Sequence, residues 1–262
     1  MLLAVDIGNS SINIGLFSGE RLLKKAKIPS YPIMTEEEYA EEVIIFSSIT
    51  QVDASSKPLD AVIISSVVPE ITDILYRSMA RLSKKIPVIL DSSLNTGIVF
   101  DVPQPLEIGA DRIANVVAAQ EIAGPSAIVV DFGTATTISV IKNGVFTGGS
   151  IMPGIDLMCK SLHSGTSKLP LIDISELVTE GLNLHAIGKD TTICIISGII
   201  YGTAGGVERL ISEMEEAERP FRLVVTGGNA GLIKRFLKKD YMFEPDLTLH
   251  GLRLIHERNT NA

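Results

Sequence analysis

LLAVDIGNSSINIGLFSGE, residues Leu2 to Glu20, is the stretch from which the fold is read. An apolar run ends on Asp6, Gly8, Asn9, Ser10 and Ser11 follow, and apolar residues then resume. This pattern predicts a buried strand, a tight turn and a second, partly alternating strand. Asp6 falls at the strand's end, where the backbone N–H groups of the turn point outward. Such a turn can approach a phosphate closely, because Gly8 carries no side chain and Asn9 and Ser10 can donate hydrogen bonds.

The pattern returns at Ala127 to Gly144, AIVVDFGTATTISVIKNG. With Asp131 laid on Asp6, Gly133 falls on Gly8, Thr134 on Asn9, Thr136 on Ser11 and Gly144 on Gly19. Leu3, Ala4 and Val5 meet Ile128, Val129 and Val130. Two ordinary hairpins whose aspartates merely support turns would also read this way. A duplication is preferred, because the correspondence spans a whole hairpin and later strands repeat in order.

A chain of 262 residues can form one large domain or two ordinary ones, each with a real core. Apolar residues make up 45%, charged residues 21%, and mean hydropathy is +0.31. No run of eighteen apolar residues is free of polar interruption, so no membrane span is expected. Met1 leads directly into the first strand, so no signal peptide is expected either. A net charge of −8 and a pI near 5.1 argue against nucleic acid as a partner. An anionic ligand would have to be held by local backbone donors and a few placed cations. Cys159 and Cys194 lack metal-ligand spacing, and the four histidines form no zinc signature. These features fit a reducing cytoplasm.

Along the chain, Arg21 to Ile28 extends the first hairpin into a meander. Thr35 before three glutamates predicts a capped helix to about Ser47. Asp53 to Pro58 reads as a loop, Ala61 to Ser65 as a strand, Glu70 to Ser83 as a helix and Pro87 to Leu90 as a strand. Asn95 to Pro105 is irregular. Gly109 stands before a helix beginning near Asp111, which puts an acid and Arg112 at a helix mouth. The second half begins near Gly124-Pro125, a short linker, with a first domain over residues 1–121 and a second over residues 122–262. In the second, Val145 to Met152 is a strand, a helix runs to about Leu162, and His163 to Pro170 is a polar loop that could act as a lid. Thr191 to about Ala217 reads as one long helix with Gly198, Gly202 and Gly205 on one face. Phe221 to Val225, the Thr226–Asn229 turn and a helix over Ala230 to Leu237 repeat the strand–turn–helix of Ala61 to Leu82.

Two halves, each opening on a hairpin with Asp-x-Gly in its turn, and a late strand ending in Thr-Gly-Gly resemble the superfamily of acetate and sugar kinases, actin and heat-shock chaperones. The resemblance implies an α/β chain of two tandem ribonuclease H-like domains, the actin-like ATPase fold, facing each other across a cleft. More narrowly, DIGNS at Asp6 to Ser10, SSVVP at Ser65 to Pro69, EIGADRIAN at Glu107 to Asn115, DFGTATT at Asp131 to Thr137, IGKDT at Ile187 to Thr191 and VTGG at Val225 to Gly228 occur in the order found in type III pantothenate kinases. The match covers nearly the whole chain.

That resemblance implies transfer of the ATP γ-phosphoryl group to the terminal hydroxyl of pantothenate, at the entry to coenzyme A synthesis. Asp111 would be the general base, and an ordinary carboxylate pKa would suffice if proton removal comes late. Gly109, Ala110, Arg112 and Thr191 would orient the acceptor. Asp6 would serve magnesium, with Gly8, Asn9 and Ser10 donating to phosphate. Gly133 and Thr134 would form the second phosphate loop, Gly227 and Gly228 would flank adenosine, and Asp131 would hold potassium or ammonium. A homodimer is also implied.

Two departures stand out. Ser10-Ser11 replaces a common Thr-Asn, and Val102 stands seven residues before Gly109, where the family often has tyrosine beside the substrate. Val102 keeps open a kinase for another small hydroxyl compound, with His163 to Lys168 as a conjectural replacement contact. A non-catalytic, nucleotide-responsive regulator is the third reading, against which the full set Asp6, Asp111, Asp131 and Thr191 argues.

Overall fold

The computed structural model describes residues 1–47, 59–174, 184–216 and 221–260. The predicted loop at Asp53 to Pro58 lies outside them. The chain divides into two compact units, Met1–Glu121 with Asp246–Ala262, and Ile122–Pro245.

In the first unit, β1 (Leu2–Ile7), β2 (Ser11–Ser18) and β3 (Arg21–Pro29) form the antiparallel meander. After α1 (Glu36–Ser47), β4 (Ala61–Ser66) pairs parallel to β1, and after α2 (Pro69–Leu82), β5 (Val88–Ile89) pairs parallel to β4. The sheet order is therefore β3-β2-β1-β4-β5. A capping box starts α1: Thr35 N–H donates to Glu38 Oε2 at 2.7 Å, and Glu38 N–H donates to Thr35 Oγ1 at 3.2 Å.

Alternation along the strands sends Leu3, Val5, Ile7, Val62 and Ile64 to one face, against Tyr39 and Val43 of α1 and Ile71, Leu75 and Met79 of α2. Full burial contributes about 1.5–3 kcal/mol for each such aliphatic side chain. The exposed ion pairs of Arg77 and Arg81 with Glu36 add little by comparison.

A short strand β6 (Val99–Phe100) and a 3₁₀ turn (Pro105–Glu107) lead to α3 (Ala110–Ala123). In the second unit, β7 (Ala127–Phe132), β8 (Ala135–Lys142) and β9 (Val145–Pro153) repeat the meander. Then come α4 (Ile155–Ser164), α5 (Thr191–Glu216), β10 (Arg222–Thr226), α6 (Ala230–Ile233), a 3₁₀ turn (Lys234–Phe236) and β11 (Met242–Phe243). The predicted helix over Ala230 to Leu237 is thus one α turn that tightens into 3₁₀. β10 pairs parallel to β7 and β11 parallel to β10, so these strands run β11-β10-β7-β8-β9, the order of the first unit.

The repeat holds, with one correction to its alignment. Three residues, Gly8 to Ser10, join β1 to β2, whereas only Gly133 and Thr134 join β7 to β8. Beyond the turn the halves are therefore offset by one residue less than the aspartates suggest, and Ser11 corresponds to Ala135 rather than Thr136. Thr134 corresponds to Ser10 rather than Asn9. Asn143 at φ 51° corresponds to Gly19 at φ 55°, displacing the Gly144–Gly19 match. The register shifts at Leu16/Phe17 and Val140/Ile141 agree with this alignment.

By length and composition α5 could cross a membrane, over Thr191–Glu215. Here its Ile196, Ile199, Ile200, Val207 and Ile211 lie in the second unit's core with Ile128, Val130 and Phe132.

The sequence reading assigned the C-terminal segment to the second domain, but α7 (Leu247–Thr260) belongs to the first unit. Directly paired Ala4 and Gly15 leave a hollow on the sheet face away from α1 and α2, and Leu249 comes up against Gly15. Gly251 crosses α3 so closely that a Cβ there would collide with the Ala114 carbonyl, and Thr248 Oγ1 donates to Asn115 Oδ1 at 2.8 Å. Replacing Gly251 with alanine is expected to cost about 1–3 kcal/mol of overpacking. A urea midpoint equal to that of the unsubstituted protein would contradict this packing.

Candidate active site

In each unit the turn aspartate lies at the carboxyl end of a central strand, the end at which open α/β sheets bind ligands. In the first, Asp6 pairs in register with Asn13 on β2 and Ser65 on β4. Asn13 Nδ2 donates to Asp6 Oδ2 at 3.3 Å. The turn is held from below by Ser30, a wholly buried residue just past β3. Ser30 N–H donates to the Ser10 carbonyl at 3.2 Å, and Ser30 Oγ to the Gly8 carbonyl at 2.6 Å. With those carbonyls turned inward, Asn9 and Ser10 are exposed at the tip.

The start of α3 belongs to the same end of this unit. Val67 N–H donates to the Ile7 carbonyl at 3.1 Å, and a Cβ at Gly109 would lie 3.8 Å from Val67 Cγ1. Gly109 opens the helix, its carbonyl accepting from Ile113 N–H at 3.1 Å. Asp111 folds back so that Oδ1 accepts from the Arg112 N–H at 2.8 Å. A Cβ at Gly109 would lie 2.5 Å from that oxygen, so glycine is what allows this conformation.

Asp111 and Arg112 are half-buried. Burial raises the Asp111 carboxyl above its ordinary pKa, opposed by the Arg112 N–H and the Arg112 charge. Burial likewise lowers the Arg112 guanidinium, opposed by Asp111. The carboxyl therefore stands above the ordinary value that would suffice for late proton removal. Ala110 is buried behind them, and Val102 is half-buried in the segment between β6 and the 3₁₀ turn.

The second unit repeats the arrangement with different side chains. Gly154 N–H donates to the Thr134 carbonyl at 3.1 Å, the counterpart of the Ser30–Ser10 bond. A Cβ at Gly154 would stand 2.5 Å from the Gly133 carbonyl oxygen. Asp131 pairs in register with Thr226, and Gly227, at φ 100°, lies against the Asp131 carboxylate and 2.5 Å (from an added Cβ) from the Phe132 backbone. Gly133 borders the same carboxylate, and Gly228 is exposed beyond it.

Sequence reasoning passed over Asn229 here. Its N–H donates to the Phe132 carbonyl at 2.9 Å and its Nδ2 to Asp156 Oδ2 at 3.4 Å, tying the glycine turn to β7 and α4. Its place directly after Gly-Gly and before an apolar helix was the available signal.

Thr191 is the exposed first residue of α5, in the unit that does not carry Asp111. Asp190 caps that helix, accepting Ile193 N–H on Oδ1 at 2.8 Å. The expected lid is tied to the end of α4: His163 Nδ1 bonds the Leu169 carbonyl at 2.8 Å, and Thr166 Oγ1 donates to the Leu162 carbonyl at 2.7 Å.

Among the described residues no three His, Cys, Asp or Glu side chains gather as a metal cluster. A magnesium ion shared with nucleotide phosphates needs only one or two protein carboxylates, which Asp6 can supply. Around Asp131, carboxylate and backbone oxygens with glycines clearing the space suit a hard cation.

Two sheets of one topology, each with a turn aspartate and inward-pinned carbonyls, define the actin-like α/β fold that sugar kinases also have. The activator of a 2-hydroxyisocaproyl-CoA dehydratase from Clostridium difficile, solved with bound ADPNP, shares it with a TM-score of 0.56 at 14% identity, over 99% of this chain and 96% of that one. Within that class the chain belongs to the type III pantothenate kinase family, whose model matches residues 2–213. A type III pantothenate kinase of Moorella thermoacetica is 38% identical over 262 residues, covering 99% of this chain and 100% of the relative. One from Listeria monocytogenes is 37% identical over 261 residues, covering 99% and 98%.

Replacing Gly109 with alanine is expected to swing the Asp111 carboxylate away and cut turnover at least tenfold while melting temperature barely moves. Full turnover in that variant would contradict the role given to Gly109.

Proposed function

We propose that this chain transfers the γ-phosphoryl group of ATP to the terminal hydroxyl of pantothenate, giving 4'-phosphopantothenate, the first step of coenzyme A biosynthesis. Full-length kinship with type III pantothenate kinases supports it. The observation that carries the mechanism is the half-buried Asp111, held by Gly109 and the Arg112 N–H at the mouth of α3.

Asp111 is the catalytic base. It accepts the hydroxyl proton late in a loose transition state, and its raised pKa gives it the affinity to do so. Gly109, Ala110, Arg112 and Thr191 bind the acceptor, and Arg112 pairs with its carboxylate. Val102 lines this end with a smaller, apolar side chain than the tyrosine common in the family. Asn9 and Ser10 donate to phosphate from the first turn, where Gly8 gives its own N–H to the Ser11 carbonyl at 3.0 Å and serves by carrying no side chain. Gly133 and Thr134 donate from the second, and Gly227 and Gly228 flank adenosine.

Asp6 would hold magnesium and Asp131 potassium or ammonium, and such cations neutralise charge on the transferring group. We read the halves as tandem ribonuclease H-like domains, the first closed by α7. A cytoplasmic setting suits the free thiols of Cys159 and Cys194. A homodimer is supported by α5, where a Cβ at Gly198, Gly202 or Gly205 would touch nothing within 4 Å. A monomer's mass in light scattering would rule that out.

ADP release by the pure protein should require pantothenate and respond to potassium. Release indifferent to pantothenate would reject the acceptor. Asp111→Asn should lose about 10²–10⁴-fold in turnover while staying folded. In the wild type, kcat/KM should fall as pH drops through the Asp111 pKa. Because burial raises that pKa, the loss begins at a higher pH than it would for an exposed aspartate of pKa 3.8. Undiminished Asp111→Asn turnover would refute the base assignment.

A further inference from the structure

Ser65, the last residue but one of β4, has no part in the assignments above. Parallel register sets it beside Asp6, and the antiparallel register sets Asn13 on Asp6's other side, so the three side chains form one polar row across β2, β1 and β4. Asp6 receives its hydrogen bond from Asn13. Ser65 is wholly buried, and its Oγ has no hydrogen-bond partner among the described residues. Its neighbour Ser66 has a structural task, accepting from Val68 N–H at 3.0 Å and from Thr72 Oγ1 at 2.6 Å at the start of α2.

A buried hydroxyl without a partner is destabilising, and alanine would remove that penalty at this position. The second half keeps a hydroxyl in the same place: Thr226, 2% exposed, stands in register beside Asp131. Independent strands thus put a hydroxyl next to each turn aspartate.

We propose that Ser65 is a positioning residue for the magnesium-nucleotide held at Asp6, its hydroxyl donating to a phosphate oxygen or an ion-bound water there. This rests on the reading of Asp6 as the magnesium carboxylate. The ligand-free protein then carries the cost of the orphaned hydroxyl, and binding repays it. Ser65 acts through what Asp6 holds and touches neither the acceptor nor Asp111.

The test is ADP affinity by calorimetry with and without magnesium, together with ligand-free melting temperatures, for Ser65→Ala, Ser65→Cys, Ser65→Thr and Asp6→Asn. Ser65→Ala and the volume-conserving Ser65→Cys should melt at or above the wild-type temperature and lose about tenfold of the magnesium-dependent gain in affinity. Ser65→Thr should regain most of it. Asp6→Asn should abolish the gain. A full magnesium gain in both Ser65→Ala and Ser65→Cys, with the gain lost in Asp6→Asn, overturns the proposal and leaves Asp6 in place. A full gain in Asp6→Asn overturns the reading of Asp6 itself. A lower melting temperature in Ser65→Ala and Ser65→Cys with the gain intact shows a structural hydroxyl and also overturns the proposal.

Discussion

A backbone hydrogen bond from the end of the third strand to the first turn is the constraint on which both halves depend. Ser30 N–H reaches the Ser10 carbonyl, and Gly154 N–H reaches the Thr134 carbonyl, at nearly the same length. A turn whose carbonyls are occupied from below keeps its last residue, with its hydroxyl, at the exposed tip, while in the first turn Gly8 N–H closes on the Ser11 carbonyl. Ser10 and Thr134 are those hydroxyls, matched once the extra residue of the first turn is counted. The aspartate before each turn is fixed by the central strand, which is paired on both sides and cannot shift register without moving every neighbour to the wrong face.

This explains how an acidic chain of net charge −8 can serve anionic ligands. In the proposed reaction, phosphate would be met by local dipoles rather than a broad positive field. Phosphoryl transfer asks little covalent chemistry of the protein, so positioned donors and cations supply most of the stabilisation. Asp111 is the exception. Its place in the first turn of α3 would lower its pKa through the helix dipole, yet burial outweighs that and the Arg112 contacts together. The balance leaves the carboxyl above its ordinary pKa while Oδ1 accepts from the Arg112 N–H.

Much of this was legible in the sequence. Apolar runs broken by Asp-x-Gly gave both hairpins, and Thr35 with Glu38 announced the start of α1. What escaped depends on contacts distant in sequence. The one-residue difference between the turns is invisible when the aspartates alone are aligned, because Gly144 lies as far from Asp131 as Gly19 does from Asp6. The return of α7 to the first unit depends on the Ala4–Gly15 hollow and the Gly251–Ala114 crossing, which no local pattern encodes. Lys234 to Phe236 read as helix by composition, but the chain tightens there. Ser65 and Ser66 are adjacent in the chain, and only strand register sets the first beside Asp6 while the second serves the start of α2.

The central claim is transfer to a particular hydroxyl, and phosphorus NMR of a turnover mixture tests it most directly. With ATP, magnesium, potassium and pantothenate, one new phosphomonoester resonance should grow in step with ADP and show coupling to the methylene protons of the terminal pantothenate carbon. Growth of inorganic phosphate alone, or no ester signal as ADP accumulates, would contradict it.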